Sequence, residues 1–254
     1  LDKARGYVGA TVGLFVIWYA LAATFKLQAL PSPVIVFADF FRLLPGELSR
    51  HFAISLYRVL VSTALGMVLA LPIGLVLGRE ERLDRFFAPL IFILYPIPKV
   101  VFLPVFLFLL GIGDVSKIVL ITVIVFFQIL VTTRDAAREI PNQSIMSMQS
   151  LGATKWQIYR HVIYPASLPK TFTAIRIASG TAIAVLFFAE SFATEEGLGY
   201  FIMDAWSRFN YADMFGGIVA MAVMGLLVYE LLELLESRLC PWSQTLGITN
   251  YGYC

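Results

Sequence analysis

Apolar residues in this chain come in runs of about twenty, separated by short charged stretches. A helix that crosses the roughly 30 Å hydrocarbon core of a bilayer needs about 20 mostly apolar residues. Six runs reach that length: Tyr7–Phe25, Phe52–Leu77, Phe87–Leu110, Val115–Thr133, Thr171–Phe192 and Met214–Leu235. The pattern predicts an all-α transmembrane protein, with residues 1–254 forming one domain of six spans. The first run is longer than the apolar core of a signal peptide. "GREERLDR" between the second and third runs reads as a charged turn in water, and "GIGD" between the third and fourth as a tight glycine-rich link.

Two stretches outside the spans have patterns of their own. In "LPSPVIVFADFFRLLPGELSRHF", Val34, Phe37, Phe40, Phe41 and Leu44 recur at helical spacing and Pro45 ends the run. This predicts a short amphipathic helix at the outer surface. "TEEGLGYFIMDAWSRFNYAD", after the fifth run, is polar and aromatic and reads as a re-entrant or cap-like segment facing outward.

The connection from Arg134 to Lys170 is far longer than a turn between helices requires. Asn142 is a candidate N-cap for "PNQSIMSMQSL", and Gly152 permits a left-handed turn. Thr154 is placed to cap a second helix, "KWQIYRHVIY", with Trp156, Tyr159 and Ile163 on one face and Lys155 and Arg160 on others. Pro165 is expected to stop that helix, and Pro169 to sit at the start of the fifth span. The prediction is a helix–turn–helix held at both ends by membrane helices.

Composition agrees with the pattern: 59% of residues are hydrophobic and 14% charged, against about 45–50% and 25% in soluble domains. The net charge of +2 is too small to argue for nucleic acid. Lysine and arginine are unevenly shared between the two sets of span ends. One set holds Lys3, Arg5, Arg79, Arg82, Arg85, Arg134, Arg138, Lys155, Arg160, Lys170 and Arg238, the other Lys26, Arg42, Arg50, Lys117 and Arg208. The bias predicts that both termini and the long connection are cytoplasmic. Gly9 with Gly13, and Gly74 with Gly78, form small faces that suit packing within the bundle. Cys240 and Cys254 give neither a disulfide framework nor zinc spacing. The chain opens on Leu1, so the native start is expected upstream, and "SQTLGITNYGYC" reads only as a cytoplasmic extension.

The long connection resembles the signature of prokaryotic ATP-binding-cassette (ABC) importer permeases, which runs E-A-A, three residues, Gly, nine residues, I-x-L-P. Gly152 stands at the glycine and Val162 to Pro165 at the last element, while Met146, Ser147 and Met148 replace the E-A-A triplet. "LPSP", "YPIPKVVFLPVFLFLLGIGDVSK", "AESFATEEGLGY" and "LLESRLCPW" are similar to the nitrate/sulfonate/taurine/bicarbonate branch. The resemblance implies a six-helix bundle of the type I importer permease kind, with a coupling helix between spans four and five. It also implies a second copy or a homologue, two ATPase subunits that bind ATP and Mg, an external or periplasmic solute-binding protein and a location in the prokaryotic cytoplasmic (inner) membrane. No cofactor belongs to this chain, which lacks a G-x-x-x-x-G-K-[ST] phosphate loop.

On this reading Met146, Ser147, Met148, Gln149, Ser150, Leu151, Gly152, Ala153, Trp156 and Pro165 form the ATPase-coupling segment. Lys99, beside Pro96 and Pro98, is a cation within an apolar run. Either it lines the pathway and attracts anions, or it snorkels or pairs with an internal carboxylate. Glu190 is expected to pair with a basic residue or to form part of an outer gate. Arg58 and Arg176 are expected to snorkel, and Glu230, Glu233 and Glu236 to form a solvated face. His51 and His161 are isolated and support no metal site. A stand-alone secondary transporter or channel would show inverted repeats or paired broken helices, and an intramembrane enzyme a clustered catalytic set; neither pattern stands out.

Overall fold

The computed structural model describes the backbone of residues 2–192 and 194–242, and the side chains of 9, 11–192 and 194–242. Cys254 and the tail from residue 243 lie outside the described residues. Helices follow one another as α1 (Asp2–Phe25), α2 (Pro33–Leu43), α3 (Glu47–Arg79), α4 (Glu81–Leu94), a 3-10 turn (Lys99–Phe102), α5 (Leu103–Leu110) and α6 (Asp114–Arg138). Then come α7 (Asn142–Ser150), α8 (Lys155–Ile158), a π-turn (Tyr159–Ile163), α9 (Tyr164–Glu190), α10 (Leu198–Ser207) and α11 (Tyr211–Leu239).

Four stretches among the described residues are helical, long and apolar enough to cross a membrane: Glu47–Arg79, Asp114–Arg138, Lys155–Glu190 and Tyr211–Leu239. The third apolar run is not one straight span. It is broken into α4 and the 3-10 turn with α5, bent by 80°. Pro96 and Pro98 lie at the break: Pro98 has no N–H for the Leu94 carbonyl, while Tyr95, before Pro96, keeps helical angles (φ −60°, ψ −47°). Counted as one broken span, this pair makes a fifth crossing. The described part of α1, Thr11–Phe25, is apolar but shorter. The charged "GREERLDR" is not a turn of its own length, since only Glu80 separates α3 from α4 and the other charges are helical.

The chain divides into two compact units, Leu1–Leu56 with Phe187–Met224, and Tyr57–Leu186 with Gly225–Cys254. In the first, the Trp18 indole donates to the Pro31 carbonyl (3.1 Å) and stacks near Phe215, while Phe15 meets Phe37 of α2. Helix α2 ends before Pro45 as expected, but buries Pro33, Val36 and Phe40 and leaves Val34, Phe41 and Leu44 exposed. The buried stripe is therefore rotated from the one the sequence suggested. Hydrophobic residues surround this helix on nearly every side, so periodicity alone does not choose its inward face.

In the second unit α3 and α6 pack closely. A Cβ on Gly78 would sit 2.4 Å from the Arg134 carbonyl oxygen, and one on Gly74 would sit 2.8 Å from Thr133 Cβ. Gly74 and Gly78 thus serve packing within the bundle, whereas no described atom lies within 4 Å of a Cβ placed on Gly9 or Gly13. The Ser62 hydroxyl donates to the Arg58 and Ile118 carbonyls, and Thr133 meets Thr171 at 3.2 Å. Arg58 and Arg176 do not snorkel. Arg58, 2% exposed, holds Asp114 at 2.6 Å, and Arg176 holds the buried Glu236 at 2.8 Å. Their helices place a carboxylate within reach, and a paired guanidinium need not travel to water. Glu230 and Glu233 are exposed, so only Glu236 leaves the expected solvated face.

Candidate functional site

The segment between α6 and α9 is an elbow of two short helices. Helix α7 ends in a Schellman motif: Ala153 N–H donates to Met148 O (3.1 Å), Gly152 N–H to Gln149 O (2.9 Å), and Gly152 has φ +77°. Helix α8 starts in a capping box, with Thr154 Oγ1 accepting from Gln157 N–H and Gln157 Oε1 accepting from Thr154 N–H. Asn142 does not cap α7. It is the first helical residue, and its Oδ1 accepts from Arg79 Nη2 at 3.0 Å. The Arg79 guanidinium also reaches the Ala137 and Ile140 carbonyls, tying the end of α6 to that of α3.

Two further expectations are corrected. Pro165 does not stop the helix, because the π-turn over Tyr159–Ile163 carries the chain from α8 into α9 without a gap. Tyr164 N–H donates to Tyr159 O, an i→i+5 bond directly before Pro165, and the helix runs on through the proline. Pro169 accordingly lies inside α9 and does not begin it. The same π-turn shifts the helical register, so Trp156 does not share a face with Ile163. Trp156 is 72% exposed, while Ile158 and Ile163 are buried with Leu75, Ala137 and Ile140. Ile145, Met148, Ala153, Tyr159 and Val162 pack on that cluster.

Met146, Ser147, Gln149, Ser150, Leu151 and Gly152 point away from it and are exposed. Pro165 is half-buried at the start of α9. The elbow is thus rooted by an apolar face and presents Met146, Leu151 and Trp156 on its tip. At its base Arg134 Nη2 donates to Asp84 Oδ2 (2.8 Å), with Arg138 at 3.5 Å. The Arg134 hydrogen bond holds the Asp84 carboxyl below its ordinary value. Lys170 pairs with Glu139, and Lys155 with Glu80.

A second constellation sits at the break after α4. Lys99 Nζ donates to the carbonyls of Leu94 (3.0 Å), Tyr95 (2.9 Å) and Ile97 (3.3 Å). Of these, the Leu94 carbonyl has Pro98 four residues on, which offers it no N–H, and it accepts from Ile97 N–H (3.3 Å) instead. The ammonium lies 4.7 Å from the Phe127 ring centroid and 5.6 Å from that of Tyr95. It does not snorkel, and among the described residues no carboxylate pairs with it; carbonyl dipoles and aromatic faces hold it. A cavity of 280 Å³ adjoins it, lined in part by Tyr95, Lys99, Phe127, Gln128 and Thr181.

Glu190, fully buried, belongs to the other unit. Both its oxygens accept from the Ser55 hydroxyl (2.9 and 2.7 Å), and Oε2 accepts from Gly199 N–H (3.0 Å). Ser55 Oγ accepts from Leu198 N–H (2.7 Å) and His51 Nδ1 from Gly197 N–H (3.0 Å). Three successive N–H groups at the start of α10 are thus capped by side chains of α3 and α9, and the helix dipole favours the carboxylate there. Gly197 is required, since at φ +113° a Cβ would fall 2.2 Å from Glu190 Cδ. Sequence reasoning found Glu190 but missed His51 and Ser55 as partners. Their four-residue spacing on α3 was the available signal.

The sequence profile of the binding-protein-dependent transport system inner membrane component family matches residues 62–240. A Bacillus subtilis (strain 168) protein named as an aliphatic sulfonates transport permease, SsuC, is 33% identical over 90% of this chain and 84% of its own length. The taurine transport system permease protein TauC of Escherichia coli (strain K12) is 27% identical, covering 92% of this chain and 88% of its own. The nitrate import permease protein NrtB of Synechocystis is 25% identical, over 91% and 87%. Among solved structures, a chain of the MetNI methionine ABC transporter in inward-facing conformations superposes with TM-score 0.66 at 25% identity, covering 76% of this chain and 95% of that one. Profile, relatives and fold agree over most of its length: the chain belongs to the inner-membrane components of binding-protein-dependent transport systems, a family of ABC importer permeases rather than enzymes.

Proposed function

We propose that this permease moves a small anion of the sulfonate, taurine or nitrate kind, and that the α7–α8 elbow couples it to ATP hydrolysis on partner subunits. The relatives' names support the substrate class, and the uncompensated Lys99 ammonium agrees with it. The elbow carries the coupling reading. Its inner face is committed to packing, while Met146, Leu151 and Trp156 stand 62%, 83% and 72% exposed where the fold alone gives them no work. Exposed large apolar side chains on a rigid projection suit a protein partner. Two ATPase subunits carrying ATP and Mg would dock there, a second copy or a homologue would complete the pathway, and an external binding protein would deliver solute. The lysine and arginine bias puts the elbow and both termini in the cytoplasm.

The test is co-purification. Replacing Met146, Leu151 and Trp156 together by serine is expected to strip the ATPase subunit from the purified assembly while the permease stays in the membrane. Full retention of the ATPase would contradict the assignment.

A further inference from the structure

We infer that the cavity beside the α4–α5 break is an anion-binding site of the permease itself, with Lys99 supplying the charge and the Gln128 amide, held by Thr181, the neutral donor. The inference deepens the proposed anion import and rests on that reading for its physiological meaning.

Charge comes first. Lys99 has no carboxylate within salt-bridge distance among the described residues, although it stands in an apolar run where a cation is costly. Three carbonyls and two rings hold it in place without neutralising it. The Ile97 bond, at 3.3 Å, is the longest of the three and the one an anion oxygen would replace.

The neutral side of the cavity is also incomplete. Gln128 Nε2 meets Thr181 Oγ1 at 3.2 Å, while its buried Oε1 has no hydrogen-bond partner. The two ends of an amide are interchangeable by a flip. Turned over, the carbonyl accepts from the Thr181 hydroxyl, and the NH₂ is freed as a donor. With the amide so turned, an anion in the cavity meets both the Gln128 NH₂ and the Lys99 ammonium.

Size sets the class. At about 30 Å³ per water, 280 Å³ holds roughly nine waters, or one small oxyanion with a short organic tail. Tyr95 and Phe127 provide apolar walls for such a tail. A sulfonate or nitrate fits this combination of one cation, an amide donor and aromatic sides.

The probe is ³⁵S-methanesulfonate, with nitrate and chloride as competitors, binding to the full-length permease in lipid nanodiscs. Saturable binding displaced by nitrate ahead of chloride is expected. Lys99→Ala and Gln128→Leu should each weaken it about tenfold or more, the loss of a charged hydrogen bond, and Lys99→Arg should largely restore it. Because Lys99 also secures the break, Gln128→Glu is the second variant. It leaves the break untouched and sets a carboxylate toward Lys99, which should abolish anion binding. Absence of methanesulfonate binding in the wild type, or wild-type affinity in Gln128→Leu and Gln128→Glu, would overturn the site. ATP-driven uptake separates the two ideas. Binding without uptake of any of these anions sinks the import reading alone, and uptake indifferent to Gln128→Glu sinks the site alone.

Discussion

Single residues decide the capping of α10. Glu190→Ala strands the Ser55 hydroxyl and the Gly199 N–H in a buried place, at a cost of about 1–3 kcal/mol. Glu190→Gln keeps an acceptor and should lose less. Gly197→Ala should be the worst of the three, since its Cβ has no room beside the carboxyl. Thermal melts of the purified permease check this order. Cys240 is buried, and burial pushes its thiol up to about 11, with Glu236 adding to the effect. The reactive thiolate therefore forms only near that pH. In a Cys254→Ser background, maleimide at pH 8 should leave the folded protein unlabelled and modify it after denaturation. At the elbow's base the lowered Asp84 carboxyl contributes stability at every pH above its ordinary 3.8, lost only as pH falls further, so the Arg134 pair should be indifferent to physiological pH. Little at this scale was legible in the sequence. Glu190 and Ser55 are 135 positions apart, and His51 and Gly197 146. The four-residue spacing of His51 and Ser55 puts them on one face of α3, but does not say which distant groups they meet.

At the scale of elements, local signals were legible where local chemistry decides. Gly152 and Thr154 do what a left-handed turn and an N-cap require, and α2 stops short of Pro45. Proline was harder to read. Pro96 and Pro98 lie where a helix breaks, whereas Pro165 is absorbed by a π-turn and Pro169 by the helix interior. A missing N–H is local, but whether neighbours supply another bonding pattern is not. The π-turn then rotates Trp156 away from Ile163, a shift no 3.6-residue wheel foresees. Two variants test the element readings. Gly78→Leu would thrust a side chain into the Arg134 backbone and should destabilise the α3–α6 pair by more than the usual 0.5–3 kcal/mol of a point substitution, seen as a lower melting temperature. Gly152→Val forces a β-branched residue to φ +77°, a strain of about 1–3 kcal/mol confined to the elbow. It should leave the membrane helices folded while ATP hydrolysis continues and uptake falls.

For the whole molecule, the apolar runs carried the architecture because crossing a bilayer leaves helices no alternative for their backbone groups. What they could not show was which runs bend, and by how much. The elbow's spacing around Gly152 resembled the importer permeases despite the Met146–Ser147–Met148 replacement, and the family match over residues 62–240 agrees. The central claim is that the elbow links this bundle to an ATP-hydrolysing partner. Its most direct test is uptake of labelled taurine or nitrate into proteoliposomes holding the permease, its binding protein and its ATPase subunits, with and without ATP. Uptake that requires ATP, and that drops at least tenfold in Gly152→Val while hydrolysis persists, is the predicted result. Equal uptake without ATP, or with the ATPase subunits left out, contradicts the account.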